Sequence, residues 1–71
     1  MKVIAVDMIT GPIGAYGFRT GTWTATVEDG RKFRFFASIP HRLGLDEEHA
    51  IRVAQAALDR SRWRDDVIEW I

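Results

Sequence analysis

Thr22, Thr24 and Thr26 alternate along one short stretch, and Lys32, Arg34 and Phe36 alternate along the next. These are the residues whose types and spacing could bind a ligand. Hydroxyls and cations together can hold phosphate oxygens, and an aromatic ring can stack on a base. The same Thr and Lys residues also suit an ordinary solvated sheet face, because they are good exposed strand formers. Only Phe36 goes unexplained by that reading, unless Tyr16 or the chain termini cover it. Tyr16 and Arg19, near the start of the same stretch, and Trp70 at the far end complete the candidate binding set.

No catalytic constellation stands out. Gly11, Gly14 and Gly17 recur every three residues but match neither a dinucleotide nor a phosphate-loop pattern, so turn glycines explain them. His41 falls in a connection and His49 in the first turn of an expected helix. Its neighbour Glu48 points elsewhere on a helix, and no third metal ligand is marked. Ser38 and Ser61 read as strand-end and helix-end residues. No enzyme activity, cofactor or metal site is expected, since a core would use most of the chain.

The elements that must position the candidate residues follow from periodicity. A two-residue Asp29-Gly30 turn would place Thr26 opposite Phe33 and Trp23 opposite Phe36, mixing core and solvent residues on each face. A three-residue Glu28-Asp29-Gly30 loop, with Gly30 left-handed, shifts the pairing by one. Trp23, Ala25, Val27, Phe33, Phe35 and Ala37 then share one face. Thr22, Thr24, Thr26, Lys32, Arg34 and Phe36 share the other. Burial of the first set selects this register, because a one-residue slip exchanges the faces.

Lys2 to Ile9 reads as a first strand, apolar on both sides and therefore expected in the sheet interior. Residues 10–14 form a turn or loop. Residues 16–19 could begin the second strand, with Gly17 and Gly21 at a bend or bulge. Residues 39–45 read as a connection. Asp46 stands at an N-cap position, with Glu47 and Glu48 in the first turn. Ala50, Ile51, Val53, Ala54, Ala57 and Leu58 form a helical stripe over the aromatic face. Trp63 falls out of phase with that stripe, so the helix should end near residues 60–62. Residues 67–71 form either a short strand or a separate helical turn. A strand beside strand one is the favoured reading. The C-terminal segment either wraps the core edge and buries Trp63 and Trp70, the favoured reading, or leaves them exposed as anchors for a partner.

The expected fold is therefore α+β: a small antiparallel sheet of three or four strands, one helix on one face, in the order β-β-β-α with a short C-terminal β. With 71 residues the chain is a single domain, 1–71. Such a chain buries roughly 60% of its unfolded surface. It has no cysteine, which removes disulfides and thiolate zinc sites. The longest apolar run, Val3 to Val6, is too short for a membrane span or signal core, so no membrane role and a cytoplasmic location are expected. The net charge is zero but divided: six cations against three anions before Asp46, four against seven from Asp46 onward. Any basic face belongs to the sheet half.

The stretch Gly21-Thr22-Trp23, then Gly30-Arg31-Lys32, followed by a helix from about Glu47, resembles the three-stranded, DNA-binding N-terminal modules of phage integrases over residues 21–58. That resemblance implies a sheet face laid against nucleic acid, although such modules are basic and this chain is neutral. Composition and size point first to a non-enzymatic protein-binding module. A small inhibitor, with the economy of a phage-type protein, would dock through the outer sheet face or the Trp-bearing tail. The alternative is a DNA or RNA binder using Thr24, Thr26, Lys32, Arg34 and Phe36. A homodimer through an edge strand is a further reading, since strand edges invite pairing.

Overall fold

The turn at Glu28–Gly30 sets the geometry of the sheet. In the computed structural model, which describes residues 1–8, 17–40 and 46–71, Gly30 N–H donates to Val27 O and Val27 N–H to Arg31 O, both at 2.9 Å. Gly30 has φ 90°, the left-handed conformation that completes a three-residue hairpin loop. Asp29 Oδ1 accepts Arg31 N–H at 3.0 Å and Oδ2 accepts the guanidinium Nε–H at 3.0 Å. The main-chain bond first, then the guanidinium, holds the Asp29 carboxyl below its ordinary 3.8.

The elements are β1 (Val3–Met8), β2 (Phe18–Val27), β3 (Lys32–Pro40), α1 (Asp46–Arg60) and β4 (Ile68–Trp70). All four strands are antiparallel in the order β1-β2-β3-β4. The hairpin register is the expected one: Trp23 opposes Phe35, Ala25 opposes Phe33, Thr24 opposes Arg34 and Thr26 opposes Lys32. Pairing continues without a slip from Thr26–Lys32 to Phe18–Pro40, so Gly21 makes no bulge. The bend falls at Gly17, whose φ is 76°.

The helix lies over the aromatic face. Ala50, Ala54 and Ala57 are buried, and Ile51, Val53 and Leu58 pack beside them. Val3, Trp23, Ala25, Val27, Phe33, Phe35 and Ile39 complete the core, and Trp23 Nε1–H donates to Ala37 O at 3.0 Å. The helix ends at Arg60, as the phase break requires. Gln55, outside the apolar stripe, reaches back to the sheet: its Oε1 accepts Val3 N–H at 2.8 Å and its Nε2–H donates to Met1 O at 3.1 Å.

Three expectations are corrected. β1 is an edge strand, not an interior one. Its two-sided apolar pattern comes from a register shift between Val3 and Ala5. The bulge leaves Ile4 51% exposed and puts Val3 on the core side with Val6 and Met8. β4 is a strand, but it pairs with β3 rather than β1. Its Trp70 ring meets Phe33 edge-on, with centroids 5.4 Å apart. Finally, β3 runs on through Ile39 and Pro40, and Ile39 is fully buried. The expected 10–14 loop, Tyr16, the connection from His41 and the Asp46 side-chain cap lie outside the described residues or side chains.

Gly30→Ala should lower stability by about 1–2 kcal/mol, the cost of a left-handed Cβ, because no atom lies within 4 Å of the added methyl. Phe33→Ala should cost about 3–5 kcal/mol. Urea denaturation measures both. An NMR titration should place Asp29 below 3.8. Because folding lowers this value, the associated stability is present above it and disappears as the pH falls through the folded midpoint.

Candidate functional site

The alternation that buries the aromatic face leaves the opposite face to be read row by row. Asp7, Thr24, Arg34 and Glu69 stand side by side across the four strands. The next row toward the turn carries Ala5, Thr26 and Lys32, with Ile71 N–H donating to Lys32 O at 3.0 Å. On the other side Thr22 opposes Phe36, and Thr20 and Ser38 share a hydroxyl hydrogen bond of 2.7 Å. Rows of an antiparallel sheet are spaced so that opposite side chains sit about 5 Å apart.

Thr24, Thr26, Lys32, Arg34 and Phe36 therefore come together on one face, as the hairpin register requires. Phe36 is 73% exposed. Among the described residues it is the most exposed aromatic ring on the sheet. Sequence reasoning missed Asp7 and Glu69. They reach the same row only because β1 and β4 flank the hairpin on opposite sides, and strand order is written in no local pattern. Their carboxylates balance Lys32 and Arg34, so this face carries mixed charge rather than a basic field.

The other candidates lie elsewhere. Arg19 opposes Ile39 and takes the inward phase. It lines a cleft of about 320 Å³ with Trp23, Met8 and Glu47 between β1 and the start of α1. Trp70 is 42% exposed and belongs to the core side: its ring meets Phe33, and the Arg31 guanidinium stacks over it at 4.6 Å from the centroid. Trp63 does not join the core edge. It is 86% exposed in the turn after α1, between Arg62 and Arg64. Tyr16 lies outside the described residues.

Among the described residues, no group of three His, Asp or Glu side chains is placed to hold a metal ion. No helix among them is long and apolar enough to cross a membrane. No protein-family model matches the chain, and no curated protein or solved structure shows significant similarity to it.

The two C-terminal tryptophans should separate cleanly in thermal or urea unfolding. Trp70→Ala should cost about 2 kcal/mol, roughly half the penalty of a fully buried Trp. Trp63→Ala should change stability by less than about 0.5 kcal/mol.

Proposed function

We propose that this chain is a non-enzymatic protein-binding module, of the inhibitor or adaptor kind, that docks through its outer sheet face around Phe36. The exposed Phe36 ring carries the reading. It stands beside Thr22, with Arg34 two residues away on the same face of β3. Aromatic and arginine side chains of this sort are the ones that dominate binding energy when a partner covers them. The surrounding threonines lose little side-chain entropy on contact, being stiff at χ1. Folding consumes the other sheet face, because α1 covers it.

Nucleic acid is the second reading. Lys32 and Arg34 lie in register with Thr26 and Thr24, which would make a phosphate track with Phe36 as a stacking ring. Asp7 and Glu69 flank that track in the Arg34 row and oppose a polyanion. Mixed charge suits a protein surface better than a phosphate backbone.

The test is a pull-down from native lysate with wild type, Phe36→Asp and Lys32→Glu/Arg34→Glu, each with and without nuclease. The protein reading expects a nuclease-resistant partner retained by wild type and weakened at least about tenfold by Phe36→Asp, with no change in unfolding midpoint. A partner lost on nuclease treatment, with binding that falls steeply as salt rises, supports the nucleic-acid reading instead. Identical recovery by wild type and both variants removes this face from the account.

A further inference from the structure

The central hairpin outruns its neighbours. β3 extends over Lys32–Pro40, yet β4 pairs only with Phe33, Arg34 and Phe35. In an antiparallel ladder a residue's N–H and C=O point toward the same neighbouring strand, and successive residues alternate. The Ile71 N–H bond to Lys32 O fixes the phase. Lys32, Arg34, Phe36, Ser38 and Pro40 aim their main-chain groups to the β4 side, and the residues between them aim at β2. The last pair, Phe35 with Ile68, turns the Phe36 N–H toward Val67 C=O, and β4 begins at Ile68. Phe36 C=O, Ser38 N–H and C=O, and Pro40 C=O thus have no partner strand among the described residues and form an open edge.

That edge adjoins a groove. Arg34 and Phe36 form one wall, and Asp65, Asp66, Val67 and Glu69 form the other. The groove has more carboxylates than cations, and Asp66 shares one oxygen with Arg64 at 3.3 Å. An open ladder recognises an extended chain by its main chain, and alternate side chains give the specificity. We propose that Phe36–Pro40 is a strand-addition edge that receives an extended, cationic segment of a partner protein in line with β4. This rests on the protein-binding reading and names the partner's chemistry. Lysine or arginine side chains of the guest meet Asp65, Asp66 and Glu69, while an apolar side chain covers Phe36. A second copy of this chain fits less well. Its own exposed edge, β1, is bulged at Ile4 and carries Asp7, so it would add another carboxylate.

Amide exchange on the full chain tests the proposal. Without ligand, the amide of Ser38 should exchange faster than those of Arg34 and Ala37, which lie within the ladder. A blocked heptapeptide alternating Lys with Val should slow Ser38 about tenfold or more, and one alternating Glu with Val should not. Asp65→Lys/Asp66→Lys, both at exposed turn positions, should weaken the Lys–Val peptide about tenfold and leave the fold intact. The proposal is overturned if the Lys–Val peptide leaves Ser38 unchanged or if the Glu–Val peptide protects it equally. It is also overturned if that amide is protected by raising protein concentration alone, which would identify a second copy. Unchanged exchange alongside Phe36-dependent partner capture would sink strand addition but keep docking on the face. Failure of both would sink both.

Discussion

The offset introduced by Glu28–Gly30 is the constraint on which the rest of the molecule depends. Side chains on a strand alternate with a period of two, so a single residue more or less in the turn would exchange the faces of one strand. With Gly30 at φ 90°, Trp23 lands opposite Phe35 and Ala25 opposite Phe33. The helix then has one apolar surface to cover, and its alanines allow close approach: Ala50, Ala54 and Ala57 are buried against it. Arg31 extends the influence of the turn. Its guanidinium donates to Asp29 on one side and stacks over Trp70 on the other, tying the turn to the C-terminal strand.

Most of this was legible because it is local. The hairpin register follows from where the aromatic residues fall, and the helix and its end follow from the stripe of Ala50 to Leu58 and the phase of Trp63. The outer face was legible for the same reason, as the complement of the buried one. What could not be read depends on long-range pairing. Val3, Ile4 and Ala5 look like an interior strand until the register shift at Ile4 is known, for a bulge mimics two-sided burial. The choice of β3 over β1 by β4 turns on Trp70 meeting Phe33, a contact between residues far apart in sequence. The balancing charges Asp7 and Glu69, and the open edge beyond Phe35, both follow from that strand order and were therefore hidden as well.

Face and edge have a common origin. A short chain supplies one helix's worth of cover among the described residues, and the helix takes the aromatic side. β4 is three residues long and covers only the turn-proximal half of β3. Phe36 sits where both shortages meet among the described residues: its side chain is on the face away from α1, and its C=O begins the stretch of edge that β4 does not reach. Natural sheets usually blunt such edges with charge, proline or a bulge. β1 follows that habit with its Ile4 bulge and Asp7, and β3 is closed off only at Pro40. The contrast between a guarded edge and an open one gives the sheet a direction of growth.

Cross-strand Hα–Hα contacts measured by NMR test the register most directly, since the Hα atoms of non-hydrogen-bonded pairs come closest together. The account requires strong contacts for Thr22–Phe36, Thr24–Arg34 and Thr26–Lys32, with Phe33–Trp70 and Phe35–Ile68 on the other side of β3. Strong contacts for Val27–Lys32, Ala25–Arg34 and Trp23–Phe36 instead would show a two-residue turn. They would mix the two faces and leave neither the buried aromatic layer nor the exposed Phe36 surface standing.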